Sequence, residues 1–136
     1  MIERTDVYAY FWVEATACSL EAITAQLQIK PTDVIVIGAS RSDDFPKRNL
    51  WRLLSPIPRG DSFLQDHVDA LMAILEKSAS ALVDLGANCE IGISCVGYYF
   101  GSNPGLHLSA SLIQRLAALR LSVDFDLYNY AGEDAP

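Results

Sequence analysis

The sequence predicts a two-layer α+β domain in which a mainly antiparallel five-stranded sheet carries its helices on one face. The chain has 136 residues, of which 51% are hydrophobic and 20% charged, so it is long and apolar enough to bury one core. Strand-like and helix-like segments follow one another in the order β-α-β-β-α-β-α-β. The first, fourth and fifth strands alternate between two faces, which is typical of a sheet covered on one side only.

The first half of the chain contains a strand, a helix and two more strands. The strand at residues 7–14 is apolar on both sides, so its pattern leaves open which side is buried. One side consists of Val7, Ala9, Phe11 and Val13, and the other of Tyr8, Tyr10, Trp12 and Glu14. Ser19 is expected to cap a helix that ends before Pro31, because proline prevents its continuation. The second and third strands are expected at residues 34–37 and 49–54.

The second half contains two helices and two strands. Ser62 begins a sequence of capping-box form and opens the longest helix, which Gly86 ends. A strand at residues 89–97 leads into a loop rich in glycine and tyrosine, and Ser109 caps a helix before the last strand, residues 121–128. The residues of the last strand expected to face the core are Val123, Phe125 and Leu127.

The two ends of the chain show a weak internal similarity, because each has a strand, a serine-capped helix and a second strand. Each end therefore predicts a split β-α-β unit of the kind found in ferredoxin-like folds. No linker interrupts the pattern, so we expect a single domain over residues 1–136 with an ordered core at about residues 6–129.

The composition argues against several classes of protein. Seventeen acidic residues against ten basic ones give a net charge of −7, which opposes nucleic-acid binding and suits either a basic partner protein or solubility alone. The N-terminus has no signal-peptide pattern, and no apolar run is long enough to span a membrane. Three cysteines without Cys-x-x-Cys spacing indicate reduced thiols, so we expect a cytoplasmic protein.

No motif identifies a catalytic centre, a metal site or a cofactor. His67 lies among acidic residues of the long helix and is expected on the surface, in poor geometry for a metal. His107 precedes a helix, where hydrogen bonding at the helix start is favoured over a role in proton transfer. Residues 92–97 depart from the Gly-x-Ser-x-Gly motif, and Asp124 and Asp126 are expected on a solvated strand face.

Two surfaces are candidates for binding. The segment from 41 to 59 holds half of the basic residues in 19 positions and could receive an anionic ligand or an acidic partner, although solubility alone also explains it. The aromatic side of the first strand is a second candidate if it lies outside the core. The candidate binding residues are Tyr8, Tyr10, Trp12, Arg41, Arg48, Trp51, Arg52, Tyr98 of the Gly- and Tyr-rich loop, and His107.

Two motifs resemble those of a bacterial family described as domain of unknown function 4279. Residues 20–32, LEAITAQLQIKPT, resemble its opening E-x-I-T-x-x-L-x-I-x-P-T, and residues 123–128, VDFDLY, resemble its closing strand. The resemblance covers most of the chain, from about Tyr8 to Tyr128. It implies a small cytosolic α+β domain and no established activity. The motif residues it marks as structural are Ile23, Leu27, Pro31, Phe125 and Leu127.

The sequence leaves two functions open. The first is a non-enzymatic protein-interaction domain, either a homodimer or an immunity protein that neutralises a basic toxin. The second is a small-molecule-binding domain or enzyme with its site between the loops at 41–59 and 97–107, where His107 would lie above a pocket edged by Trp51 and Arg52. Neither hypothesis requires a cofactor.

Overall fold

The computed structural model describes residues 4–16, 18–37, 48–101 and 105–130. The predicted α+β architecture is confirmed, because these residues form an open five-stranded sheet with its helices on one side. A 3-10 turn at Glu76–Ser78 divides the long helix into two. The elements are β1 (Asp6–Ala15), α1 (Leu20–Leu27), β2 (Asp33–Ile37), β3 (Arg48–Leu54), α2 (Leu64–Leu75), α3 (Ala79–Gly86), β4 (Glu90–Tyr99), α4 (Ala110–Ala118) and β5 (Ser122–Asn129).

The strands lie in the order β2-β3-β1-β4-β5 across the sheet. The first four pair antiparallel with their neighbours, whereas β5 pairs parallel with β4 at the edge. As predicted, β1–α1–β2 is a split β-α-β unit, since β3 lies between its two strands. The prediction is wrong for the last unit, because β4 and β5 are direct neighbours. The second split unit is instead formed by β3 and β4, which enclose β1.

The side of β1 that faces the helices carries Val7, Ala9, Phe11 and Val13, each with no exposed surface. Helix α2 packs across this strand and covers it with Leu71, Met72 and Leu75. The opposite side of β1, with Tyr8, Tyr10 and Trp12, is half-buried and points away from the helices. The structure thus decides the question that two apolar sides leave open in the sequence.

The serine caps predicted for the first and last helices are confirmed. The Ser19 hydroxyl accepts a hydrogen bond from the Ala22 amide at 3.1 Å, and the Ser109 hydroxyl accepts one from the Leu112 amide at the same distance. The capping prediction is wrong for Ser62, because α2 begins one residue later, with Phe63 at the cap position and no side-chain hydrogen bond there. The Ser62 hydroxyl is turned inward to a different partner.

That partner is His67, which the sequence places on the surface and the structure buries completely. Its Nε2 lies 2.9 Å from the Ser62 hydroxyl, and its Nδ1 lies 2.9 Å from the hydroxyl of Ser55. Burial lowers the pKa of His67, while the nearby Asp66 opposes this effect. The neutral ring therefore ties the loop after β3 to the first turns of α2.

Strand β5 is the least covered part of the sheet. Phe125 and Leu127 lie on the helix side, because they pair with Cys95 and Gly97 of β4, yet they remain 47% and 42% exposed. The expectation that they are core residues is therefore wrong, and only Val123 of this row packs against the core. The helices lie over the central strands and leave this edge open. No helix in the described part of the chain is long and apolar enough to cross a membrane.

Candidate functional site

The side of the sheet opposite the helices carries a group of aromatic rings, which we call the aromatic face. Its members are Tyr8, Tyr10 and Trp12 of β1, Tyr98 of β4 and Tyr128 of β5. Among the described residues, no helix or strand lies over this side of the sheet. The rings are half-buried by one another and by neighbouring strands, and Tyr128 is 41% exposed.

Strand register brings these rings together. Tyr98 pairs with Tyr128 across β4 and β5, and their rings stack at a centroid distance of 5.0 Å and an angle of 9°. Tyr130 extends this stack at 6.3 Å from Tyr98. The rings of Tyr8 and Tyr10 stack at 6.4 Å on the neighbouring strand. Both pairs stand on the same side, so the face is continuous across three strands.

Two of these residues differ from the expectation. The sequence places Tyr98 in a loop, but β4 continues to Tyr99 and holds Tyr98 in the sheet. Tyr128 alternates with the residues of β5 predicted to face the core and so points to the opposite side, but it is not among the predicted binding residues. Its outward position is readable from the alternation of β5, whereas its contact with Tyr98 depends on the register of two strands about 30 residues apart.

Trp12 lies against the backbone of β4 at Gly92, where a larger residue would force the indole ring to move. A Cβ atom on Gly92 would come within 2.6 Å of Cζ2 of the indole. Beside this ring the face ends in an open depression of about 510 Å³, whose lining includes Glu90, Arg120 and Asp124. The depression adds a concave, polar end to an otherwise flat aromatic surface.

The described arginines of the predicted basic segment lie apart from one another, each beside a carboxylate. Arg52 forms two hydrogen bonds of 2.6 and 2.7 Å with Asp33, which lower the pKa of that carboxyl group. Its guanidinium carbon lies 5.1 Å from the centre of the Tyr10 ring. Arg48 pairs with Glu14 through a single nitrogen and a single carboxylate oxygen. The structure therefore forms no basic cluster from these two residues.

Arg59 repeats this arrangement at the other end of β1. It binds Asp6 and holds its guanidinium carbon 4.1 Å from the centre of the Tyr8 ring. The aromatic face thus already contacts two guanidinium groups of its own chain through its tyrosines. Arg41, the remaining candidate from this segment, lies outside the described residues.

Three carboxylates of the same side have no such partner. Within the described residues, no basic group lies within salt-bridge distance of Glu90, Asp124 or Asp126. A hydrogen bond with Asp126 favours the protonated phenol and raises the pKa of Tyr128. The β4–β5 half of the face is therefore aromatic and carries three carboxylates, with Arg120 as the basic residue that lines the depression beside Glu90 and Asp124.

Trp51 and His107 do not belong to this face. Trp51 is fully buried on the helix side, where its Nε1 donates to the Thr24 hydroxyl at 2.9 Å and its ring meets Phe11 edge-on. Because Trp51 and Arg52 are consecutive on β3, they point to opposite sides and cannot edge one pocket. His107 is exposed just before α4.

The segment before β3 and the loop after β4, both proposed to border a small-molecule site, lie at opposite ends of the sheet. Strand β3 begins next to Ala15, with Asn49 as its partner there, whereas β4 ends next to Asp6, the partner of Tyr98. Residues 41–47 and 102–104 of these loops lie outside the described part of the chain. Arg59, which follows β3, binds Asp6 and so lies where β4 ends, but Trp51 and Arg52, the predicted edges of the pocket, face opposite sides of the sheet.

The described residues also contain the Ser55–His67–Ser62 group, which has the elements of a nucleophile and a base. Both nitrogens of its buried histidine are occupied by hydroxyl groups, and no carboxylate orients the ring as in a hydrolytic triad. The group therefore positions a loop. No set of three histidine, cysteine or acidic residues within the described ranges could hold a metal ion.

Comparison with known proteins gives a family and no activity. The family model described as "Domain of unknown function (DUF4279)" matches residues 5–130, so the chain belongs to that family. No curated protein and no solved structure matches the chain. The match covers every strand and helix of the described fold, including the five strands that build the aromatic face.

Proposed function

We propose that this DUF4279 domain is a protein-binding module that recognises a basic protein surface through its aromatic face. The observation that carries the proposal is a continuous set of half-exposed aromatic rings, uncovered among the described residues and bordered by three carboxylates without a basic partner. Tyrosine and tryptophan are the residues that most often contribute large binding energies at protein interfaces.

The ring contacts within the chain support a cationic partner. Tyr8 and Tyr10 each hold an arginine of the same protein over the ring, so the face has the geometry that cation–π contacts require. The carboxylates of Glu90, Asp124 and Asp126 would pair with further lysine or arginine side chains of the partner. The depression beside Trp12 offers room for one such side chain.

The charge of the aromatic face favours a basic protein partner over single-stranded RNA and over a second copy of the same face. Aromatic sheet faces also bind single-stranded RNA, but those surfaces attract phosphates with basic residues, and here the arginines over the tyrosine rings, Arg52 and Arg59, are each paired with an aspartate. Two copies of this face would bring like carboxylates together across an interface. A basic toxin bound by an immunity protein is one setting that fits a chain of net charge −7.

A reducing cytoplasm is the compartment we propose, since the chain keeps neighbouring thiols without a disulfide. The Sγ atoms of Cys18 and Cys89 lie 3.8 Å apart, and burial, followed by the hydrogen bond with Cys18, raises the pKa of Cys89 to about 11. The Cys89 thiol is therefore protonated and slow to oxidise near neutral pH. Cys95 is buried in the core as a small apolar side chain.

A fluorescence titration tests the proposal. The chain has two tryptophans, one on the aromatic face and one in the core, so a bound peptide should change the signal of Trp12 and leave that of Trp51. The probe is a decaarginine peptide, with decaglutamate and a single-stranded oligothymidine as comparisons. We expect decaarginine alone to bind, with a Trp12→Phe variant losing the signal and about 0.5 M salt weakening the affinity.

Matched charge variants locate the binding surface. Asp124→Asn with Asp126→Asn should weaken decaarginine binding about three- to tenfold, measured by calorimetry, because both carboxylates leave the face. Asp66→Asn with Asp84→Asn changes the net charge equally on exposed helix positions and should leave the affinity unchanged. Equal losses in both double variants, or preferential binding of the oligothymidine, would contradict the proposal.

A further inference from the structure

The outer edge of β2 is an unpaired strand with unusually apolar side chains. Val34, Ile35 and Val36 are 46%, 41% and 47% exposed, although they lie in a regular strand. Val34 and Val36 are on the helix side, and Ile35 is on the side of the aromatic face, because their partners on β3 are Trp51, Asn49 and Leu50. Among the described residues, no strand pairs with this edge.

An exposed, apolar edge strand is a template for pairing with another strand. Natural proteins usually protect such an edge with charged residues, proline or a bulge. Between Asp33 and Ile37, β2 has none of these devices, since its only charged residue is Asp33 at its start. That carboxylate is moreover bound by Arg52 of the neighbouring strand.

The opposite edge of the sheet shows the usual protection. Strand β5 has apolar residues on its helix side, but Asp124 and Asp126 alternate with them. Two β5 strands paired antiparallel about Phe125 would place these carboxylates directly opposite each other, and registers shifted by one pair oppose identical carboxylates. Like charges at such positions are destabilising, so the two aspartates disfavour pairing of β5 with a copy of itself.

The same test applied to β2 gives the opposite result. In an antiparallel pair of two β2 strands centred on Ile35, Ile35 faces its own copy and Val34 faces Val36. The two Asp33 side chains then lie at opposite ends, each across from Ile37. No like charges meet, and three apolar positions of each strand gain a cross-strand neighbour.

We infer that the β2 edge is the interface of a homodimer, in which two copies pair antiparallel about Ile35 and form one continuous ten-stranded sheet. The arrangement has a two-fold axis and uses the same patch on both copies, so it closes at two chains. The axis is perpendicular to the sheet, which places both aromatic faces on the same side. The inference does not depend on what the aromatic face binds.

Sedimentation equilibrium of the full chain tests the dimer. The wild-type protein is expected at twice the monomer mass, and Ile35→Lys is expected to raise the dimer dissociation constant at least about tenfold, because it opposes two ammonium groups and removes two apolar contacts. Phe125→Lys is the matched control, since it makes the same change at a similarly exposed position of the other edge. It should leave the mass unchanged.

Charge exchange separates pairing about Ile35 from simple damage to the fold. Ile35→Glu alone should also be monomeric, whereas an equimolar mixture of Ile35→Lys and Ile35→Glu should recover the dimer, because a lysine then faces a glutamate. A monomeric wild-type chain, a dimer that survives Ile35→Lys, or a mixture that stays monomeric although both variants unfold cooperatively would overturn the inference.

Discussion

The two sides of β1 carry similar residues and have different roles. Phe11 and Trp12 are consecutive aromatic residues, yet Phe11 has no exposed surface and packs edge-to-face on Trp51, whereas Trp12 lies on the uncovered side. All described helices lie on the side of Phe11. The comparison shows that apolar character alone does not make a core residue in this sheet. A covering layer does, and among the described residues the side of Trp12 has none.

The chemistry of the two sides differs in the same direction. The helix side is closed by aliphatic and aromatic residues and contains the buried His67, whose hydrogen bonds are satisfied by Ser55 and Ser62. The open side pairs its rings with arginines and leaves the carboxylates of Asp124 and Asp126 to solvent. The helix side therefore stabilises the fold, and the open side is free to change without unfolding it.

Substitution of consecutive residues tests this comparison with the largest expected effect. Phe11→Ala should lower the free energy of unfolding by about 3–5 kcal/mol, because it leaves a cavity beneath α2. Tyr10→Ala, on the open side, should cost about 1 kcal/mol, because it removes the partly exposed contacts of this ring with Tyr8 and Arg52. Urea unfolding measures both values.

The control is Phe11→Leu, which keeps most of the buried volume and should cost about 1.5 kcal/mol or less. If Tyr10→Ala were as damaging as Phe11→Ala, the open side would contribute to the core as much as the helix side, and the proposed division of roles would be wrong.

Two glycines of β4 compare the sides in a second way, with a smaller effect. A Cβ atom at Gly97 would come within 2.6 Å of the buried Tyr99 ring, and one at Gly92 equally close to Trp12. Gly97→Ala should cost about 1–3 kcal/mol of stability, because the buried ring has no space to move into. Gly92→Ala should cost less, since the half-exposed Trp12 ring can shift toward solvent and the Ser122 carbonyl oxygen, 3.0 Å from the new Cβ atom, needs to move by only a few tenths of an ångström.

For decaarginine binding, the order of the two variants should be reversed, with the larger effect in Gly92→Ala. Gly92→Ala displaces a ring of the aromatic face and should weaken decaarginine binding, while Gly97→Ala should leave the affinity of the folded protein unchanged. Thermal unfolding and the fluorescence titration measure the two effects on the same samples. If Gly97→Ala alone lost binding, the binding surface would lie on the helix side of the sheet, and the proposal would be contradicted.

Acid pH should act on the helix side through His67, with the smallest effect of the three. Its pKa is lowered in the folded protein, so below about pH 6.5 the unfolded chain takes up a proton that the folded chain resists. Stability is therefore complete above that pH and falls as the pH decreases, by no more than about 1.4 kcal/mol per pH unit for one proton.

Unfolding measured between about pH 7.5 and 5.5 shows this slope, and His67→Gln should remove it. His107→Gln changes an exposed histidine and should retain it. If the slope persisted in His67→Gln and disappeared in His107→Gln, the titrating group would be His107, and the assignment to His67 would be wrong.

Local residues determine much of this fold. Ser19 and Ser109 predict helix starts that the structure confirms, and alternation predicts which residues of β4 and β5 share a side. These features depend on a few consecutive residues, whose hydrogen bonds and side-chain directions are set by the backbone conformation. The α+β class and the single-sided cover of the sheet follow from them.

Tertiary structure decided what local patterns leave undefined. Strand alternation divides the residues of β1 into two groups but cannot tell which group the helices will cover. The stack of Tyr98 on Tyr128 and the ion pair of Arg52 with Asp33 require strand registers that join distant parts of the chain. His67 looks exposed beside its acidic neighbour, and only the approach of Ser55 from another loop makes its burial possible. Period and capping are local properties, whereas burial and charge pairing depend on the elements that pack opposite.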